Sequence, residues 1–251
     1  METRSGRNGY TVSPDGSEVA YSAPSGGRNQ VFVAHLDGTH ARQITHGVRA
    51  NLPAWSPDGA RIAYVGGPDR DLNDNVFIID LKSGVTTQVT HERVPVSDAR
   101  FSPNGSAIVY TASEPRGEEV RIVPVTGGKG SRLVGGPGVP ASGASFSADG
   151  SLMSYACGGE GLCVADADGS DRRMIARARG IGWIPSASWS PTGSRLAYWS
   201  FFTDVGVYVY DVATGETTRV ADRARSGHTL AWPQWVDDHT LVIEIYLGGV
   251  H

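Results

Sequence analysis

Apolar runs of five or six residues alternate with polar turns along this chain, and the whole arrangement repeats about every 45 residues. Each repeat opens on a bulky apolar residue followed by a turn. The copies read Val12-Ser13-Pro14-Asp15-Gly16, Trp55-Ser56-Pro57-Asp58-Gly59, Phe101-Ser102-Pro103-Asn104-Gly105, Phe146-Ser147-Ala148-Asp149-Gly150 and Trp189-Ser190-Pro191-Thr192-Gly193, then the degenerate Trp235-Val236-Asp237-Asp238-His239. Proline presets φ and glycine accepts a left-handed conformation, so each copy predicts a tight reversal between two strands. Two apolar, β-branched runs follow, such as Arg61-Ile62-Ala63-Tyr64-Val65 and Asn75-Val76-Phe77-Ile78-Ile79-Asp80. A turn with Gly38, Gly84, Gly128, Gly169 or Gly215 then leads to a short outer strand, as in Gln88-Val89-Thr90. Four antiparallel strands per period describe a propeller blade. The bulky residues are expected to be buried between blades.

In register with the turns, a tyrosine recurs at Tyr21, Tyr64, Tyr110, Tyr155 and Tyr198. The same spacing in the sixth copy lands on Glu244, unless that copy slips so that Tyr246 takes the place. The expectation is an all-β, six-bladed β-propeller of antiparallel four-stranded blades, with residues 1–251 forming a single domain. The sixth blade is incomplete, because only an inner strand (230–235) and a second strand (241–246) precede His251. Either the ring closes on a short blade, aided by residues 1–9, or the chain has been cut. Open strand edges in that blade invite association.

The succession Trp-Ser-Pro-Asp-Gly, Ile-Ala-Tyr, Val-Phe-Ile-Ile-Asp and Val-Thr resembles the TolB-like (WD40-like) propeller repeat over nearly the whole chain. The resemblance implies the fold, which hosts binding modules as well as enzymes. It also implies a ligand face around a central channel, where the connections between blades gather with those between second and third strands.

Net charge is −4, which provides no basic face for nucleic acid. No apolar stretch is long enough for a membrane helix, and Met1-Glu2-Thr3-Arg4-Ser5-Gly6-Arg7 lacks the hydrophobic run of a signal peptide. As written the chain reads as soluble, cytoplasmic if Met1 is the natural start and periplasmic or secreted if it has been trimmed. Cys157 and Cys163 flank a hairpin turn in the fourth repeat. A cross-strand disulfide and two thiols packed in adjacent strands are both compatible with that spacing.

Function should lie where the repeats disagree. Trp55, Trp189 and Trp235 hold the repeat position, whereas Trp183, Trp199 and Trp232 are off the template. These three adjoin connections carrying Arg179, Phe202, Asp204, Arg225 and His228. Aromatic walls with convergent guanidinium donors suit a partly apolar, anionic group. The expected site is therefore Arg179, Trp183, Trp199, Phe202, Arg225, His228 and Trp232, binding a peptide, a protein segment or a small anionic ligand with no cofactor. The alternative is that these aromatics plug the channel or cover the open blade.

Catalytic signatures are mostly absent: there is no Gly-x-Ser-x-Gly elbow, no Walker loop and no His-Glu-x-x-His. An enzyme of lyase, hydrolase or cyclase type would have to use His228 with Asp204 or Glu244, and an arginine to stabilise developing charge. The oxygen-rich loop containing Asp69, Asp71 and Asn73 is a weak candidate for a hard cation, lacking the glycine and terminal glutamate of an EF-hand. Asp98 and Arg100 lie two apart on an inner strand, so that both side chains are expected on one face near the channel.

Overall fold

The computed structural model describes residues 10–68, 73–159, 161–177, 187–200, 205–222 and 229–246, for 229–232 and 244–246 as backbone only. These residues form strands and turns with no helix among them, in two compact units. The first comprises the described residues up to Glu114 with Arg121–Arg132, the second Pro115–Val120 with the described residues from Leu133 onward.

The strands assemble into five four-stranded antiparallel sheets and one of two strands, in the order the repeat predicts. Sheet 1 contains β1 (Tyr10–Val12), β2 (Glu18–Ser25), β3 (Arg28–His35) and β4 (Arg42–Gln43), and sheet 2 contains β5 (Arg49–Trp55), β6 (Arg61–Gly67), β7 (Asn75–Asp80) and β8 (Thr86–Gln88). Sheet 3 is β9 (Val96–Phe101), β10 (Ala107–Glu114), β11 (Gly117–Pro124) and β12 (Ser131–Gly135). Sheet 4 is β13 (Ala141–Phe146), β14 (Leu152–Cys157), β15 (Gly161–Asp166) and β16 (Arg173–Arg177). Sheet 5 is β17 (Ser188–Trp189), β18 (Arg195–Ser200), β19 (Gly206–Asp211) and β20 (Thr217–Asp222), and sheet 6 pairs β21 (Thr229–Trp235) with β22 (Leu241–Tyr246).

The repeated turn owes its geometry to the serine as much as to proline and glycine. In the first copy the buried Ser13 Oγ donates to Asp15 Oδ1 at 2.6 Å and accepts the Glu18 backbone N–H at 2.9 Å. Asp15 Oδ1 also accepts the Ser17 N–H at 3.0 Å. Ser102 with Asn104 and Ser147 with Asp149 repeat the arrangement, and Ser56 does so with Asp58. Each of these four reversals is thus held by its own side chains, which fixes the register of the strands on either side.

With the turn fixed, the bulky residue pairs with an aliphatic one on the second strand: Trp55 with Ile62, Phe101 with Ile108, Phe146 with Met153 and Trp189 with Leu196. Above that pair the inner strand bulges. Leu52-Pro53 both lie opposite Tyr64, Asp98-Ala99 opposite Tyr110 and Gly143-Ala144 opposite Tyr155. Leu52, Asp98 and Gly143 take left-handed φ values of 53°, 54° and 65° there. This corrects the reading of Asp98 and Arg100 as an i, i+2 pair on one face, since the bulge interrupts the strand's period of two.

The sixth copy behaves differently. Its turn closes with the Val236 N–H on the Thr240 carbonyl at 2.9 Å, one residue tighter than Ser56 on Arg61 at 2.9 Å. Trp235 consequently pairs with Leu241, and Trp232-Pro233 lie opposite Ile243. Ile243, not Glu244 or Tyr246, takes the repeat tyrosine's place.

Apolar seams join sheets within each unit. Val31, Val33 and Ile44 of sheet 1 and its outer edge meet Ile62, Tyr64, Phe77, Ile79 and Leu81 of sheet 2. In the second unit Leu162, Val164 and Ile175 meet Leu196, Tyr198, Tyr208, Tyr210 and Val212. The tryptophans add a polar hook across the same seams: Nε1 of Trp55 donates to the Thr11 carbonyl at 3.1 Å, Trp189 to Ser145 at 3.1 Å and Trp235 to Ser188 at 3.0 Å. Trp55 and Phe101 are buried as expected, whereas Phe146 and Trp189 are only half-buried. Cys157 and Cys163 form a disulfide with Cα atoms 5.8 Å apart, between strands whose register places Cys163 opposite Tyr155 and Cys157 opposite Gly161.

Two outcomes are expected from this fold. Trp55→Ala should cost about 3–5 kcal/mol in urea unfolding, and Trp55→Phe a smaller loss of at least about 0.5–1.5 kcal/mol, from the missing hook together with the space left by the smaller ring. The turn carboxylates confer acid sensitivity. Hydrogen bonds from Ser13 and Ser17 hold Asp15 down from 3.8 to about 2, and those from Ser56 and Ser147 lower Asp58 and Asp149. Because folding depresses these pKa values, their stabilisation is complete above about pH 4 and lost as pH falls toward 2. Denaturation midpoints measured across that range should fall more steeply for the parent than for an Asp15→Asn, Asp58→Asn, Asp149→Asn variant, whose amides keep the acceptor as Asn104 does.

Candidate functional site

Of the site residues expected from the sequence, Arg179, Trp183, Phe202, Asp204, Arg225 and His228 lie outside the described residues, as do Asp69 and Asp71. Trp199 is the penultimate residue of the second strand of sheet 5, with Ser200 between it and the connection that carries Phe202. It is 7% exposed and packs with Val207, Ala221 and Ile243, so its ring forms part of the wall between β18 and the sixth sheet. Trp232 sits in the backbone bulge of β21, and Glu244 pairs with Ala231 two residues beyond the start of that strand.

Asn73 belongs to a polar belt at the hairpin ends of the first unit. Its carbonyl accepts from Asn75 Nδ2 at 3.3 Å, and the neighbouring Asp74 carboxylate forms an ion pair with Arg49. Asn29 donates to Asn51 at 2.8 Å, and Gln30 to the Val48 carbonyl at 3.0 Å. Among the described residues no group of three or more His, Cys, Asp or Glu side chains could hold a metal ion.

The most connected polar cluster escapes sequence reasoning. Tyr110, a repeat tyrosine on β10, donates to Glu92 Oε1 at 2.5 Å. Arg121 on β11 donates to Glu92 Oε2 at 3.0 Å and to Glu114 Oε1 at 2.5 Å. Arg121 and Glu92 are each 17% exposed at the side chain, so the pair is largely withdrawn from solvent. Burial, followed by the bond to Glu92, pushes the Tyr110 hydroxyl above its usual range. In sheets 2 and 5 the tyrosine hydroxyl meets the outer strand of its own sheet, through Thr86 for Tyr64 and Thr217 for Tyr198. In sheet 3 that place is taken by Gly130, where even a Cβ atom would lie 1.9 Å from the Tyr110 oxygen. Glu92, from the connection between sheets 2 and 3, supplies the acceptor instead. Both its oxygens are engaged, so the cluster anchors that connection. Arg100, on the inner strand nearby, has its pKa lowered by burial, with Asp98 opposing the shift.

A second feature of the site region is a cleft of about 590 Å³ in the second unit, bounded by β19 and β20 on one side and by β22 on the other. Val209, Val220, Trp235, Leu241 and Ile243 make its apolar lining, and Arg195, Asp211 and His239 mark one end. Arg195 Nε and Asp211 Oδ2 lie 3.9 Å apart.

No family model matches the chain. In sequence it is 26% identical over 209 residues to an uncharacterized protein of Agrobacterium fabrum, covering 78% of this chain and 70% of that one. It is 30% identical over 113 residues to dipeptidyl-peptidase 5 of Porphyromonas endodontalis (41% and 16%) and 23% identical over 213 residues to tricorn protease homolog 1 of Streptomyces coelicolor (76% and 18%). The chain thus spans under a fifth of either peptidase's length. Among solved structures, TolB from Acinetobacter baumannii superposes with a TM-score of 0.70 at 18% identity, over 86% of this chain and 54% of TolB. An oligogalacturonate lyase in complex with manganese superposes at 0.68 with 14% identity, over 90% and 72%. The fold is the TolB-like β-propeller fold, as the repeat implied, and it is shared by proteins named for different activities.

The Tyr110–Glu92–Arg121 cluster should behave as one unit. Tyr110→Phe is expected to cost about 0.5–1.5 kcal/mol and Glu92→Gln about 1.5–3 kcal/mol. A double-mutant cycle read by urea unfolding should show the two effects falling short of additivity by at least about 0.5 kcal/mol.

Proposed function

We propose that this chain is a six-bladed propeller with an incomplete sixth blade, acting as a non-catalytic binding module. Its recognition face consists of Arg179, Trp183, Trp199, Phe202, Arg225, His228 and Trp232, and its ligand is a peptide, a protein segment or a small anionic molecule. The observation that carries this reading is the concentration of off-template tryptophans and arginines in the successive connections around the fifth and sixth repeats, next to a Trp199 ring already fixed by packing. Aromatic surface that is rigid at low entropic cost, beside planar cationic donors, is the composition of binding hot spots.

A second reading, a lyase- or hydrolase-type enzyme, uses His228 with Asp204 or Glu244. It is favoured by the register of sheet 6, which brings Glu244 into the strand pair that directly follows His228. It also draws on the likeness to a protein named as an oligogalacturonate lyase.

Trp183→Ala and Arg225→Ala decide between recognition and core filling. With an acidic peptide library and trigalacturonate as probes, a recognition role requires at least about a tenfold loss of affinity for the retained probe, with the melting temperature kept within about 2 °C. A lower melting temperature with unchanged binding would assign these side chains to the core. Turnover of trigalacturonate, abolished by His228→Ala, would replace the binding reading with the enzymatic one.

A further inference from the structure

The third repeat carries an amide where its counterparts carry a carboxylate. Asn104 stands at the position of Asp15, Asp58 and Asp149 and is followed by Gly105. Its Oδ1 accepts from the Ser102 hydroxyl at 2.8 Å, the Ser106 backbone N–H at 3.0 Å and the Ser106 hydroxyl at 2.7 Å. Asp15 takes the same three bonds on its own Oδ1, at 2.6, 3.0 and 2.8 Å. A backbone N–H can only donate, so it is the oxygen end of the Asn104 amide that faces into the turn. Among the described residues no hydrogen bond falls on Nδ2, and the residue is exposed. The turn therefore makes no use of the nitrogen that distinguishes asparagine from aspartate. Gly105 is buried by contrast, with a left-handed φ of 67° and its N–H on the Ser102 carbonyl at 2.8 Å.

We propose that Asn104-Gly105 is a spontaneous deamidation site gated by the fold, and that aspartate is the product this turn is built to hold. The Gly105 nitrogen gives up its proton and attacks Cγ of Asn104; Nδ2 leaves with that proton as ammonia, and a five-membered succinimide closes. Water then opens the ring at one of its two carbonyls. Addition at Cγ breaks the new N–Cγ bond and leaves aspartate. Addition at the main-chain carbonyl breaks the original peptide bond and leaves isoaspartate, whose backbone is longer by one carbon. In the folded turn the attacking N–H is engaged by the Ser102 carbonyl and three bonds hold Oδ1, so the ring closes only after the turn opens. An aspartate restores the acceptor of the other turns and makes its bonds charge-assisted. Arg61 brings a cation to the same turn, since its Nη2 donates to the Gly105 carbonyl at 3.3 Å. Isoaspartate adds a backbone atom to a loop whose length the buried Ser102 hydroxyl fixes, through its bond from the Ala107 N–H at 3.0 Å, and does not fit. The site is independent of the recognition face proposed above.

The test holds the whole chain at mildly alkaline pH, in buffer and in urea, and follows position 104 by peptide mapping that separates asparagine, aspartate and isoaspartate. In urea Asn104 should convert at the rate of a peptide copying Ser102–Ala107, and of Asn8-Gly9 in the same unfolded chain. In the folded chain it should convert at least about tenfold more slowly. Ser106→Ala, at an exposed position, removes one of the three bonds to Oδ1 and should speed conversion in the folded chain about two- to tenfold, leaving the rate in urea unchanged. Asn104→Asp should melt no lower than the parent at neutral pH. Among chains that convert during long incubation in buffer, those carrying isoaspartate should be cleaved first by a non-specific protease, and those carrying aspartate should resist it as the parent does. Equal rates in buffer and urea would overturn the gating, and absence of conversion in urea would overturn the site itself. A lower melting temperature for Asn104→Asp, or isoaspartate chains as protease-resistant as the parent, would overturn the assignment of aspartate as the product that fits.

Discussion

The buried serine hydroxyl that opens each of the first four inner turns is the constraint from which the other repeated features follow. It donates to a carboxylate or amide two residues on and accepts an N–H five residues on, so the loop length between the first two strands has one solution. That length sets which residues face each other. It places the bulky residue beside an aliphatic partner and leaves the tyrosine opposite a two-residue bulge. The sixth turn shows the dependence by losing it. Val236 replaces the serine and is 62% exposed, the turn is capped through Asp237 instead, and the loop shortens by a residue. Ile243 then falls where tyrosine falls elsewhere, although nothing in β22 itself demands the change.

The same contrast explains what could be read along the chain. The turns are legible because their chemistry is local and every participant lies within six residues. The bulges are not, because Leu52-Pro53, Asp98-Ala99 and Gly143-Ala144 share no side-chain chemistry and are defined only by the tyrosine across the ladder. Counting forward from Trp235 therefore reached Glu244, since a spacing count assumes the loop length that the missing serine no longer enforces.

Candidate chemistry was legible only where it departs from the repeat. The off-template tryptophans and arginines of the last two repeats stand out for that reason. Tyr110 does not, being indistinguishable in sequence from Tyr64, and its partners Glu92 and Arg121 are 29 residues apart. The only local signal was Gly130, where a side chain would have occupied the space of the Tyr110 hydroxyl. An outer strand that gives up its side chain at that point requires the tyrosine to find another acceptor. A half-buried carboxylate held by an arginine meets the requirement and ties the connection between two sheets to the core at the same time.

The cleft beside β22 was likewise invisible as a motif, because it arises from a position in the repeat and not from particular residues. Leu241 and Ile243 are ordinary members of a series that includes Ile62 and Tyr64, or Leu196 and Tyr198, which are almost fully buried. Their partial exposure comes from what the neighbouring element contributes. A repeat architecture makes such a deficit quantifiable from within, since every filled seam is a control for the open one.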